Sequence, residues 1–312
     1  MILIIGSKAD SHIEAVCQHL DNIGARYSVL DFFNRDGEGI KSTISERSSL
    51  QIGKGQVAFS EFDAVWWRLK PSGKFPTDTL LGYYDYQFVQ KEWTYLCGFL
   101  EAETTHAFSI NDRSRAKRAD DKLLQLRMAE RVGMKVPRTL VSNQVEAVLA
   151  FMEFGGSEYI FKTLTPYMPP DGRLTFTSVI RASDVVNNSS TIAAAPGIYQ
   201  ELVRRQFELR ITVVGDRVFA AKIDPKSSDV VDWRREIFCD GMYESYDLSN
   251  RLTDQILELH CQLGLFYAAY DVIIDLEGDP VFLETNPAGQ WLWLEHILGH
   301  PISCEMAAAL VK

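Results

Sequence analysis

Hydrophobic and polar positions along the chain switch between two periods, and the switches mark the elements. The opening run Ile2 to Ile5 is apolar at every position, as a buried strand requires, and Ile13 to Ile23 then carries apolar residues at helical spacing. A second strand at Tyr27 to Leu30 completes a β-α-β start. Phe33 to Ser60 mixes Gly, Ser and short alternating segments, which predicts a hairpin. Asp63 to Leu69 (DAVWWRL) predicts a strand closed by Lys70, Pro71, Ser72 and Gly73, and a long helix follows over Tyr84 to Glu101.

A second unit begins near Asn111. Leu123, Leu126, Ala129 and Val132 keep helical spacing and Gly133 supplies the stop, so Lys122 falls near the start of that helix. Thr139 to Val141 predicts a strand, Val145 to Phe154 a helix and Tyr159 to Lys162 (YIFK) another strand. The Pro-rich loop Leu164 to Leu174, flanked by Phe176 to Ile180, has the character of a lid. A third unit starts near Ile198, with strands at Ile198 to Val203, Leu209 to Val214, Arg217 to Ile223, Ala268 to Leu276 and Pro280 to Asn286 and a helix at Leu252 to Leu263. Interleaved strands and helices give the class α/β (α+β) with mixed sheets.

Composition narrows the functions this frame can serve. A chain of 312 residues carries a net charge of −10, which argues against a general nucleic-acid binder because phosphate recognition there needs a dense basic face. No stretch approaches the length of a membrane span, and the start lacks the basic residues and apolar core of a secretory signal. Cys17, Cys97, Cys239, Cys261 and Cys304 are odd in number and far apart, as in a reduced, cytoplasmic protein without a zinc knuckle.

The sharpest chemistry lies near the end. Asp271 sits on a strand, Glu277 to Pro280 reads as a turn, and the returning strand places Glu284 and Asn286 on one face. A hairpin brings Asp271 beside them, making a hard-oxygen set of the kind that holds Mg²⁺ through a nucleotide's phosphates; an ordinary hairpin with a solvated polar face fits the same pattern. Upstream, Lys122 opens a helix and Lys162 ends a strand, so each can serve a polyphosphate as a point charge or stand as a solvated cation. Gln200, Glu201, Leu202 and Val203 form a strand leading to Glu208, with backbone N–H and C=O groups suited to a purine edge and a carboxylate suited to ribose. A plain interdomain strand is the alternative.

Taken together these segments resemble the ATP-grasp carboxylate-amine ligases in the family's order, from about Asn111 to Glu295. Asp232 to Arg234 and the strand-like tail Gly289 to Trp293 (GQWLW) are similar to the graspetide (microviridin-type) peptide macrocyclases, relatives of the ribosomal-protein glutamate ligases, as is the strand carrying Trp66, Trp67 and Arg68. The resemblance implies an ATP-grasp fold in three subdomains: an N-terminal α/β domain at 1–110, a central subdomain at 111–197 and a C-terminal subdomain with the metal site at 198–312. It implies ATP and Mg²⁺ as cofactors, with Lys122 and Lys162 on the α- and β-phosphates and Glu201 and Leu202 at adenine through their backbone. Gln200 and Val203 flank that contact, and Glu208 is implied at ribose. Asp271, Glu284 and Asn286 are the implied Mg²⁺ ligands, and Arg210, Lys222 and Arg234 would face the transferred phosphoryl group and the substrate carboxylate.

The implied reaction joins Asp or Glu side chains of a ribosomal precursor peptide, with its leader and acidic core, to Ser or Thr hydroxyls or Lys amines; a homodimer is left open. Leu164 to Leu174, Thr175 to Asn187 and the basic cluster Arg113 to Arg118 are the docking surfaces this suggests, although a charge run also fits a solvated face. Trp291 and Trp293 read as core packing, with the wall of a peptide channel as the alternative. The histidines His12, His19, His106, His260, His296 and His300 read as structural. An intermolecular ligase using the same ATP site, and a nucleotide-binding regulator without turnover, are the competing functions.

Overall fold

The computed structural model describes residues 1–31, 41–43, 48–52, 55–69, 83–153, 158–165, 177–224 and 241–312. Among them the N-terminal sheet runs in the order Tyr27–Leu30, Ile2–Ile5, Ala64–Trp67, Phe108–Ile110, all parallel. Parallel neighbours need crossovers, and the helices Ser11–Asn22 and Tyr83–Glu103 lie on the first and last of them. Both faces are covered, which is why Ile2–Ile5 shows no alternation. Ile2, Ile4 and Trp66 pack with the first helix and the C-terminal helix Ile302–Val311, whereas Leu3, Ile5, Val65 and Trp67 pack with Phe59, Phe62 and Leu100. The segment expected to form a hairpin gives three short antiparallel strands, Lys41–Thr43, Ser49–Ile52 and Gly55–Ala58.

A second sheet, Ser178–Ile180, Tyr159–Lys162, Gly197–Glu201, Thr139–Ser142, is antiparallel throughout. Its third strand was expected in the third unit and to run on to Val203. It ends at Glu201 and pairs with both Tyr159–Lys162 and Thr139–Ser142. The apolar pattern of a strand says that it is buried and leaves its partner unspecified.

The third sheet holds five strands in the order Tyr243–Ser245, Arg217–Ile223, Arg205–Val214, Tyr267–Asp275, Pro280–Asn286. One face carries Leu209, Ile211, Val213, Ala268, Tyr270 and Val272 and is covered by the helices Lys122–Arg131 and Asn250–Leu263. The first of these helices therefore contributes to the third unit's core. It begins with Lys122, where Asp121 caps the Leu123 and Leu124 N–H groups, and it ends before Gly133, whose φ of 77° suits glycine.

His260 is buried on the second covering helix, with Nδ1 2.7 Å from the Tyr270 hydroxyl. Burial pulls its pKa from 6.5 down to about 4, against an opposing backbone hydrogen bond at Phe266. The unfolded chain therefore takes up this proton at higher pH than the folded one, so stability rises with pH here. The contribution of neutral His260 is complete above pH 6.5 and is lost as pH falls towards about 4. Chemical denaturation across that window is expected to show a falling midpoint for the native chain and a shallower fall for His260→Gln; equal slopes would contradict the assignment.

The tail Gly289 to Trp293 is not strand-like. Trp291 sits at the N-terminal boundary of the helix Leu292–Leu298, which closes on Gly299. An apolar alternation over five residues is too short to separate the two periods. Trp291 is core, as one of the two readings had it: its ring meets His12, Trp66 and Tyr267, and its indole N–H donates to Ser303 Oγ. Trp293 packs on Tyr243. Among the described residues no helix is long and apolar enough to cross a membrane.

Candidate active site

Register in the five-stranded sheet assembles the site. Arg210 stands opposite Asp271, and Asp271 stands opposite Glu284, so three charged residues form a row across adjacent strands. Two places along, Asn286 stands opposite Ala269 on the same face. A bulge between Asp271 and Val272 leaves Leu283 out of register, and Glu284 and Asn286 keep their common direction beyond it. The Arg210 Nη1 group donates to Asp271 Oδ1 at 2.8 Å, with the two side chains only 6% and 7% exposed. A second donor, Nη2, reaches the Gln290 carbonyl at 3.3 Å, and Nε is a buried N–H without a partner among the described residues.

Two amides and a glycine hold this row from behind. Gln125 donates to the Thr285 carbonyl at 2.8 Å and accepts from the Thr285 N–H at 3.0 Å, which fixes the backbone between Glu284 and Asn286. Asn111 donates to the Tyr267 and Pro287 carbonyls and accepts from the Phe266 and Tyr267 N–H groups, tying the start of one strand to the end of its neighbour. Gly289 folds back onto the site face. A Cβ there would fall 2.6 Å from Ala269 Cβ and 2.9 Å from Arg210 Nη2, so only glycine fits.

The central sheet presents a second group. Strand pairing puts Lys162, Ile160, Gln200 and Thr139 on one face, opposite the face on which Tyr199 and Phe161 meet the covering helices. Lys122 donates to the Thr163 carbonyl at 2.9 Å, beside Lys162. Because Lys122 lies one turn before Gln125 on the same helix, the two lysines and the Glu284–Asn286 segment are linked through one rigid element. Gln200 donates to Thr139 Oγ1, and its Oε1 is a buried acceptor without a partner among the described residues. The Glu201 and Leu202 N–H groups donate to the Arg138 and Glu158 carbonyls and are used within the protein. Val203 carries the next N–H, which makes no hydrogen bond among the described residues. Glu208 shares the face of Arg210 and is paired with Arg205 at 3.0 Å.

Lys222 is not brought to this face. It stands opposite Leu209, on the helix-covered side, where it pairs with Glu244 at 2.6 Å and with Asp224 at 3.7 Å and lies 5.0 Å from the Phe207 ring centre. The hydrogen bond it donates to Glu244 raises its pKa. Arg234, with Asp232 and Trp233, lies outside the described residues, as does the part beyond Thr165 of the loop expected to be a lid.

Among the described residues no group of three or more His, Cys, Asp or Glu is placed to hold a metal ion by itself. The set on offer is two carboxylates and an amide oxygen, and such hard, oxygen-only donors fit an Mg²⁺ that completes its shell with phosphate and water.

An ATP-grasp ligase is the class that this fold and site define. The model of the RimK-like ATP-grasp domain matches residues 119–310, well over half of the chain, and the chain belongs to that family. Among solved structures it is similar to the macrocyclase MdnC of Microcystis aeruginosa MRC bound with precursor peptide MdnA. The identity is 27%, with 100% of this chain and 99% of that one covered and a TM-score of 0.86. It is equally similar to a RiPP-associated ATP-grasp ligase of Chryseobacterium gregarium in complex with ADP and a leader and core peptide. There the identity is 27%, the coverage 99% and 96%, and the TM-score 0.87. The D-cycloserine synthetase DcsG, 18% identical over 99% of this chain and 98% of its own with a TM-score of 0.62, shares the fold. No curated protein matches the chain.

Proposed function

We propose that the chain is an ATP-dependent macrocyclase that activates Asp or Glu side chains of a ribosomally made precursor peptide and joins them to Ser or Thr hydroxyls or Lys amines. The observation that carries this reading is the Arg210–Asp271–Glu284 row, set in a chain similar from end to end to a macrocyclase solved with its precursor peptide and to a ligase solved with a leader and core peptide.

A carboxylate is a poor electrophile. Transfer of the γ-phosphoryl group to a carboxylate oxygen, with ADP released, turns it into an acyl phosphate; attack by the hydroxyl or amine on the carbonyl carbon then expels phosphate. The difficulty is the meeting of two anions, so fixed cations do most of the work. Arg210 is suited to this because Asp271 and Gln290 hold its plane while its buried Nε has no partner among the described residues. Lys122 and Lys162 hold the α- and β-phosphates in this reading, and Gln200 to Val203 hold adenine, with Val203 supplying the N–H. Glu208 takes ribose. Asp271, Glu284 and Asn286 would hold Mg²⁺, which would supply charge neutralisation to the phosphates. Arg234 is proposed beside Arg210 on the substrate. Removal of water from the site protects the acyl phosphate, a role assigned to the loop Leu164 to Leu174.

The precursor peptide is the partner. With a global charge of −10, attraction for an acidic core comes from local basic surface and from leader contacts, the field of the whole chain opposing it. Mass spectrometry of the peptide after incubation with enzyme and MgATP tests the reading: each ring removes one water, whereas an intermolecular ligase adds a residue mass. An unchanged peptide mass would contradict both.

A further inference from the structure

Arg210 is one of two buried guanidinium groups that grip the same turn. The other is Arg68, at the end of the N-terminal strand Ala64–Trp67, with a side chain only 6% exposed. Its Nη1 donates to the Ala288 carbonyl at 3.0 Å and to the Gly289 carbonyl at 3.1 Å, and its plane lies 5.1 Å from the Trp291 ring centre. The next carbonyl, Gln290, is the one that accepts from Arg210 Nη2. Three successive carbonyls are thus divided between an arginine of the N-terminal unit and an arginine of the site.

The turn is clamped at its far end as well. His12 Nε2 accepts from the Trp291 N–H at 3.1 Å and from the Leu292 N–H at 3.4 Å, which leaves the ring proton on Nδ1 to donate to Asp10 Oδ1 at 2.8 Å. The other Asp10 oxygen accepts from Arg68 Nε at 3.0 Å. One carboxylate therefore orients both clamps. Burial works against its charge, but the hydrogen bond from His12 and the Arg68 guanidinium hold its pKa well below the usual carboxylate range. Nothing cushions the turn against the site, because Gly289 leaves no room for even a methyl group beside Arg210 Nη2.

We propose that Arg68 is a positioning residue for Arg210: by fixing the Ala288 and Gly289 carbonyls it fixes the Gln290 carbonyl, and with it the angle at which Arg210 meets the reacting anions. The proposal rests on the assignment of Arg210 to the substrate carboxylate and transferred phosphoryl group. It gives the N-terminal unit a part in the chemistry that takes place on the five-stranded sheet.

The test is a double-mutant cycle in the full chain, with Arg68→Lys, Arg210→Lys and the pair, assayed with precursor peptide below the lowest melting temperature of the set. Lysine keeps the charge beside Asp10 but cannot span Asp10 and two carbonyls at once. Arg68→Lys is expected to lower kcat by roughly tenfold or more while KM for ATP stays within about twofold, because the adenine and ribose contacts lie elsewhere. The double variant should be no slower than Arg210→Lys alone. If Arg68→Lys is as fast as the native chain, or the two losses multiply, Arg68 does not act through Arg210 and the proposal is overturned. If Arg210→Lys itself is as fast as the native chain, the assignment of Arg210 falls and the proposal with it. Should Arg210→Lys be inactive, the Arg68→Lys kinetics decide: a lower kcat at unchanged KM and melting temperature supports positioning, whereas a raised KM for ATP or a lowered melting temperature overturns it.

Discussion

In Glu284→Gln, ATP turnover is expected to fall by roughly a thousandfold while the protein stays folded, since the change removes a charge from the proposed Mg²⁺ set and leaves the shape intact. Glu284 closes the row that begins at Arg210, and its backbone is held from the next residue by Gln125, so the amide would occupy the same place. Two carboxylates would become one, in a site where the entering nucleotide carries several negative charges. Rates of ADP release in the presence of peptide, compared with thermal melting of the same samples, separate the loss of chemistry from loss of fold. Native-like turnover in this variant would remove Glu284 from the metal set.

The largest effect on stability is expected from breaking the Arg210–Asp271 pair. Both side chains are buried and stand opposite one another on central strands, so Arg210→Met leaves a buried carboxylate without its cation, at a cost of about 3–5 kcal/mol. Arg210→Met with Asp271→Leu removes the orphaned charge as well and should regain most of that loss. Neither variant should turn over ATP with peptide. Denaturation midpoints and ADP release measured on both proteins make the comparison. A single variant as stable as the native chain would mean that the pair does not hold the sheet, and turnover in the double variant would mean that it does not serve the reaction.

What the sequence disclosed of this site was what local pattern can carry. Glu284 and Asn286 were legible because side chains on a strand alternate, and Asp271 because the turn at Glu277 to Asp279 folds its strand against theirs. The place of Lys122 was legible from the helical spacing of Leu123, Leu126, Ala129 and Val132 and from the Gly133 stop. Lys222 was misplaced although a signal existed. The two-residue connection Gly215–Asp216 pairs Val214 with Arg217, and counting back from there sets Ala221, not Lys222, opposite Arg210. For Gln125 and Asn111 no local signal existed, and for Arg68 the resemblance of its strand gave no sign of what the side chain holds. Gln125 sits in an ordinary helical pattern, Asn111 in a connection and Arg68 at a strand end, and each acts on backbone more than a hundred residues away. The fold class followed from the order of strands and helices. The pairing of Gly197–Glu201 with the central sheet did not, because a strand's burial pattern does not name its neighbours.

The central claim is that ATP is spent on a peptide carboxylate in the course of ring closure. Its most direct test follows ADP release and peptide mass together in one reaction of the full chain with MgATP and a precursor peptide. ADP is expected to appear only with peptide present, with one ADP formed for each water lost from it. AMP in place of ADP, or water lost from the peptide without matching ADP, would contradict the claim.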